Sequence, residues 1–236
     1  MEDVGLSEVA GALGDRARAA IVLELLAGEP RPAAALARAA GVAPSTASAH
    51  LARLESAGLV TVERAGRRRM HRLAGHEVAE AVEALMLVAP SGRVIGLRAA
   101  DRAAAHRAAR SCYDHLAGRL GVAVTERLVM LGALAPESLA LLDPAPLEPL
   151  GVDAGAVSAL RRQTTRACLD WSERRPHLAG ALGAAVLGAL LERGWVHRRR
   201  PGRALAVTSA GARGLHAAIG LEVDPHAPAT PARAAA

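Results

Sequence analysis

The two thiols of this 236-residue chain sit in two similar tetrapeptides, Cys112-Tyr-Asp-His115 and Cys168-Leu-Asp-Trp171, the second running on through SERRPH to His177. Thiolate sulfur and imidazole nitrogen are the donors that a tetrahedral zinc-like ion takes. Cys112, His115, Cys168 and His177 are therefore candidate ligands of one metal site. The same residues admit other chemistry. Two isolated cysteines can serve as small buried hydrophobic side chains. Cys112, Tyr113, His115, Cys168, Asp170, Trp171 and His177 can instead form an effector site, with Tyr113, Trp171 and His177 lining a small-molecule pocket. Thiol redox sensing, or a cysteine nucleophile beside a histidine base, are further readings. Asp114 and Asp170 are candidates to pair with Arg110, Arg174 or Arg175. The glycines follow no dinucleotide or phosphate-loop pattern and nothing supplies an oxyanion hole, so a non-enzyme is expected.

The elements that would position these groups are read from periodicity and breakers. A long helix is expected from about Ala99 to Leu120, stopping at Gly121. It would put Cys112 and His115 on one face and turn Asp114 away. A further helix is expected over about Thr125 to Leu134, and another over Gly155 to Asp170. The Pro-rich stretch 135–153 reads as irregular with one short helical turn. From residue 178 an Ala/Leu helix ends at Gly194, and a strand, the Arg-rich turn Arg198–Arg200 with Pro201-Gly202, a second strand and a helix follow. That order repeats an earlier part of the chain and predicts a second, degenerate winged helix. Its helix 178–192 carries few polar side chains for base readout.

The earlier part is LARAAGVAPSTASAHLARLESAGLVTVERAGRRRMHRL, residues 36–73. A short apolar helix stops at Gly41, which suits the positive φ of a sharp turn. Pro44 fits the first turn of the next helix. Val42, Ala47, Leu51 and Leu54 share one face. Ser45, Thr46, Ser48, Ala49 and Arg53 share the other, a small and polar face able to enter a major groove. Gly58 reads as a left-handed cap. Val60, Val62, Met70 and Leu73 then mark two strands around Ala65-Gly66, with Arg64, Arg67, Arg68, Arg69 and Arg72 at the tip and flanks. A cationic hairpin beside a recognition helix tracks phosphates.

On these residues, together with LGDRARAAIVLELLAGE at 13–29, residues 6–88 resemble the ArsR/SmtB type of bacterial transcriptional repressor. The resemblance implies a homodimer that leaves its operator when an effector binds. It also implies that Ser48, His50 and neighbouring exposed positions lie at the DNA, with Arg67, Arg68 and Arg69 in the wing. Many metal-sensing members carry cysteines on the first helix of the motif. Here that segment is RPAAALARAA, without a thiol, so metal sensing there is unsupported.

Composition agrees. The formal charge of +6 favours a polyanionic partner, and every Lys-or-Arg position is Arg. Abundant Ala, Arg and Gly with no Phe reflect GC-rich coding, so part of the Arg excess carries no message. Three aromatic residues exclude stacking platforms for single strands and leave duplex DNA as the partner. No apolar run is long enough for a membrane span, the first residues lack a signal-peptide pattern, and two cysteines suit a reducing cytosol. A cytoplasmic, nucleoid-associated bacterial protein is expected. No cofactor is required for DNA binding, and a metal ion or small molecule is the candidate effector. The expected fold is mainly α with small β wings. Residues 1–90 form a winged helix-turn-helix for DNA binding and dimerisation, paired through the Leu6/Val9/Leu13 and Val78/Val82/Leu85 stripes. A linker at 91–98, a winged-helix-like effector domain at 99–222 and a disordered tail at 223–236 follow. Rival functions are a sequence-tolerant chromosome-associated protein and a Cys/His enzyme.

Overall fold

A computed structural model describes residues 5–90, 97–200 and 202–224. Most of the expected linker, and the expected tail from residue 225 onward, lie outside these residues. The chain divides into two compact units with the border between Val82 and Glu83.

The first unit runs α1 (Leu6–Leu13), α2 (Arg16–Leu25), β1 (Arg31–Pro32), α3 (Ala33–Ala40), α4 (Pro44–Ser56), β2 (Val60–Ala65) and β3 (Arg68–Leu73), then enters α5 (His76–Val88). Asp15 starts α2 by accepting from the amides of Ala17 and Arg18, each at 2.9 Å, groups with no partner inside the helix. Gly41 ends α3 at φ 67°, and Pro44 opens α4. The helices α2, α3 and α4 pack on one another around Ile21, Val22, Leu25, Leu36, Ala47, Leu51 and Leu54, all buried. The hairpin pairs Val60 with Leu73 and Ala65 with Arg68, which leaves Gly66-Arg67 as its turn. A third strand is present that periodicity could not show. The two residues of β1 pair with His71 and Met70 of β3, giving the sheet order β1-β3-β2.

The second unit holds α6 (Leu97–Ala108), β4 (Arg110–Cys112), β5 (His115–Ala117), α7 (Gly118–Met130), a 3₁₀ segment (Ala145–Leu150), α8 (Ala154–Ser158), β6 (Arg166–Leu169), β7 (Pro176–Ala179), α9 (Gly180–Glu192), β8 (Val196–Arg198), β9 (Leu205–Val207) and α10 (Ser209–Ile219). Two segments repeat one plan. Each is a two-stranded hairpin whose second strand runs straight into a 13-residue helix: β4-β5-α7 and β6-β7-α9. The junctions read His115-Leu-Ala-Gly-Arg-Leu-Gly121 and His177-Leu-Ala-Gly-Ala-Leu-Gly183. Gly118 and Gly180 make the strand-to-helix turn at φ 75° and 83°, a region that costs a side-chain-bearing residue energy. The repeats embrace: α7 packs against β7, and α9 against β5. Leu116, Leu120, Val124, Leu128, Leu178, Leu182, Val186 and Leu190 fill the shared core.

Three expectations are corrected here. Residues 99–120 are not one helix: α6 ends at Ala108 and a hairpin follows. The helix expected at 125–134 starts earlier, at Gly118, and ends at Met130. Of 155–170 only residues 155–158, in α8, are helical, and β6 follows. Burial explains the first difference. Arg110, Ser111, Cys112, His115, Leu116 and Ala117 are all buried, so the strand alternation that would betray a hairpin is missing. The wing-like hairpin β8-β9 and the Thr208-capped α10 stand as expected. Helix α9 is buried on most sides and serves as the core of its unit.

Candidate nucleic-acid interface and buried Cys/His cluster

Helix α4 divides cleanly. Ala47, Leu51 and Leu54 are buried, while Ser45, Thr46, Ser48, Ala49 and Arg53 are exposed. Ser48 Oγ donates to the Pro44 carbonyl at 3.0 Å, a bond local to the helix that leaves an acceptor lone pair outward. Arg53 stands 3.8 Å from Glu8, an exposed pair weak enough for a phosphate to replace. His50 differs from its neighbours. It is half-buried, with Nδ1 3.4 Å from Arg18 Nη1 and 3.9 Å from Asp15, so it reaches towards the start of α2. In the wing, Arg67 and Arg68 are exposed at the tip and carry no ion pair among the described residues, whereas Arg69 lies 3.7 Å from Glu55. Glu55 also faces His71 Nε2 at 3.6 Å.

The second unit brings together the four residues that the sequence offered as ligands. Cys112 lies opposite His115 across β4-β5, and Cys168 lies opposite His177 across β6-β7. The four donor atoms all lie within 4.8 Å of one another, and all four residues are buried. Sγ of Cys112 is 3.9 Å from Sγ of Cys168, and Nε2 of His115 is 3.2 Å from Nε2 of His177. Each imidazole turns Nδ1 towards a carboxylate: His115 to Asp114 Oδ1 at 3.1 Å, His177 to Asp170 Oδ2 at 4.0 Å. Burial resists charge on His115, but Cys112 and Asp114 hold its pKa above the usual range. The bond to Cys168 and burial push the Cys112 thiol up. Asp114 is held at about 2 against burial by His115 and by Arg162, whose Nη1 lies 2.5 Å away.

Residues 13–63 match the family model described as a helix-turn-helix domain. Over 210 residues the chain is 38% identical to the uncharacterized HTH-type transcriptional regulator YdfF of Bacillus subtilis, covering 87% of this chain and 93% of that one. This chain belongs to the HTH-type transcriptional regulators. A shorter stretch of 68 residues is 43% identical to the HTH-type transcriptional regulator Rv0324 of Mycobacterium tuberculosis, covering 29% of this chain and 30% of that one. Among solved structures, the homodimeric winged helix-turn-helix domain of Mb0332 from Mycobacterium bovis is described as a possible ArsR-family transcriptional regulator. It is 38% identical, covers 35% of this chain and 76% of that one, and superposes with a TM-score of 0.33. The YdfF match is too long for the first unit alone, so the regulator shares part of its second unit with that relative.

Around the cluster, this regulator's second unit is unusually ionic. Arg110 and Asp170, both fully buried, pair at 2.8 Å, and the Arg110 guanidinium lies 4.7 Å over the Trp171 ring. This is one of the pairings expected for Asp170. Asp114 pairs instead with Arg162, which sequence spacing did not single out. Arg203 is buried against Glu83, and its Nε donates to His106 Nε2 at 3.1 Å. A cavity of about 320 Å³ opens among Arg102, His106, Arg199, Arg200, Arg203 and Ala204. Tyr113, Trp171 and His177, the expected pocket walls, do not line it.

His106 gives this unit an acid limit. Burial, then Arg203 and Arg110, hold its pKa down at about 3. The unfolded value lies near ~6.5. The folded state therefore prefers neutral His106, and the stability this confers is complete above ~6.5 and drains away as pH falls towards 3. His106→Gln should weaken the loss of stability between pH 7 and 5 by about 2 kcal/mol. Urea unfolding at both pH values measures it, and an unchanged pH slope would contradict it.

Proposed function

We propose that this regulator is a repressor that binds inverted-repeat duplex DNA as a homodimer. Residues 1–90 bind DNA and dimerise, and residues 99–222 respond to an effector. The observation that carries this reading is the outward face of α4. Ser45, Thr46, Ser48, Ala49 and Arg53 are exposed beside a wing whose Arg67 and Arg68 have no ion pair among the described residues. Small and hydroxyl side chains let a helix approach base edges, and Arg69 and His50 stand at the margin of that face. Dimerisation is supported by apolar side chains on the expected stripes and nearby: Leu6 is 70% exposed, Leu85 51% and Val88 80%. Pairing across a two-fold axis would cover them. Among the described residues no helix is long and apolar enough to cross a membrane, and a cytoplasmic location on the nucleoid is part of the proposal.

Footprinting on DNA upstream of the regulator's own gene and its neighbours tests the reading. The expected result is protection of two half-sites about one helical turn apart, with light scattering showing a dimer. Uniform protection without discrete sites would favour a sequence-tolerant DNA-binding protein, and a monomer that holds one half-site tightly would overturn the dimer.

A further inference from the structure

We propose that Cys112, His115, Cys168 and His177 bind a single zinc-class divalent ion in a closed tetrahedral site that joins the two hairpin-helix repeats of the second unit. Two of the spacings match such a site, and the four donor atoms all lie within 4.8 Å of one another. Zn–S bonds of ~2.3 Å in a tetrahedron place two sulfurs ~3.8 Å apart, and Zn–N bonds of ~2.05 Å place two nitrogens ~3.3 Å apart. The observed separations are 3.9 Å and 3.2 Å. Each hairpin supplies one sulfur and one nitrogen from directly opposed positions, so the site inherits the internal repeat.

The imidazoles point to a cation as well. A carboxylate beside Nδ1 fixes the proton there, as outer-shell carboxylates do for metal-bound histidine. Asp114 does this for His115, and Asp170 faces His177 Nδ1, a buried atom with no hydrogen-bond partner. The two Nε2 atoms then face one point, 3.2 Å apart: without an ion one Nε2–H donates to the other, and an ion between them takes both as ligands. Charge closes the argument. Two thiolates and two neutral imidazoles neutralise a 2+ ion, so the loaded site places no net charge in the core. Binding requires both sulfurs as thiolates and both imidazoles neutral, so it releases protons to solvent.

Burial specifies the kind of site. The four residues are exposed by 3%, 3%, 8% and 0%, leaving no open coordination position for a substrate. An ion here would add a direct link between β4-β5 and β6-β7 beside Ala117 and Ala179, on top of the Arg110–Asp170 pair and the shared apolar core. The site belongs to the second unit, not to the thiol-free helix of the helix-turn-helix, and stands whether or not the repressor reading does.

The test uses the full chain, reduced and metal-free under anaerobic conditions, with circular dichroism confirming that it is folded. Titration with Co²⁺ should saturate at one ion per chain, with the intense visible bands of a tetrahedral ion and a thiolate-to-cobalt charge-transfer band. Zn²⁺ should bleach both, and should protect the two thiols from a thiol-reactive dye. Cys112→Ser and His177→Gln should each weaken Co²⁺ binding by more than about 100-fold, beyond the ~10–100-fold that loss of an outer-shell partner causes. If these variants do not fold, the stoichiometry and spectrum of the unaltered chain decide. A folded, reduced chain that takes up no Co²⁺ overturns the proposal, as does a weak octahedral spectrum. A chain that ignores the metal but closes a Cys112–Cys168 disulfide with mild oxidant overturns it in favour of a thiol pair.

Discussion

Operator binding by this regulator should collapse with salt. A dimer that neutralises six to ten phosphates loses roughly 10³–10⁵ in affinity between about 50 and 200 mM salt, because each contact releases condensed counterions. The wing supplies the testable part. Arg67 and Arg68 are exposed at the tip of the hairpin without an ion pair among the described residues, while Arg69 is drawn towards Glu55 at 3.7 Å. Replacing all three with Ala should lower the slope of log K against log salt by about 3.6, the share of four phosphates contacted by two protomers. Arg69 should contribute least. The loss should be equal on operator and unrelated duplex, since phosphates carry no sequence. Ser48→Ala or Arg53→Ala should instead narrow the gap between the two. Gel-shift titrations at four salt concentrations resolve these cases. An unchanged slope in the triple variant would remove the wing from the interface.

The first unit was readable because its signals are local. Gly41, Pro44 and Gly58 punctuate the motif, and the alternation of α4 between buried Ala47, Leu51, Leu54 and exposed Ser45, Ser48, Arg53 is plain helical periodicity. Only β1 escaped, since two residues cannot show a period. His50 is set apart from its neighbours on α4. Its position belongs to the recognition helix, but its ring is engaged with Arg18 and Asp15, a contact 32 residues away that no local pattern contains.

The second unit was misread for a physical reason. Its first hairpin is buried on both faces, so Arg110-Ser-Cys and His115-Leu-Ala present a continuous run that periodicity cannot tell from helix. The four candidate ligands do meet in space, and the chain's two cysteines, each followed by a histidine within ten residues, mark them in the sequence. What placed them was different. Cys112 and His115 face each other across a two-residue turn with Tyr113 at φ 60°, rather than along a helix. The overlooked signal was the repeated His-Leu-Ala-Gly-x-Leu-Gly at 115–121 and 177–183. It marks strand, left-handed turn and helix in both halves, and it would have replaced the long helix with two hairpins.

That embrace depends on Asp170, and its removal should be the most damaging single change in the second unit. One carboxylate serves five donors. Oδ2 accepts from Arg110 Nη2 at 2.8 Å and from the Gly118 amide at 2.7 Å. Oδ1 accepts from the Ser172 amide and hydroxyl and from the Glu173 amide. Burial opposes its charge, yet Arg110 and Ser172 hold its pKa far below the ordinary carboxylate range. Asp170→Ala strands a fully buried guanidinium and leaves the turn into α7 without its acceptor. Breaking a buried pair from one side costs about 3–5 kcal/mol. For a chain of this size that lowers the Tm of the second unit by about 6–20 °C. Arg110→Met should cost less, because the carboxylate keeps four donors while the thioether chain packs against Trp171. The asymmetry separates a hub from a simple ion pair, for which the two changes would be equal. Urea unfolding followed by Trp171 and Trp195 fluorescence measures both. An Asp170→Ala protein within 1 kcal/mol (roughly the cost of an ordinary hydrogen bond) of the parent would show that the repeats are held together by their apolar core alone.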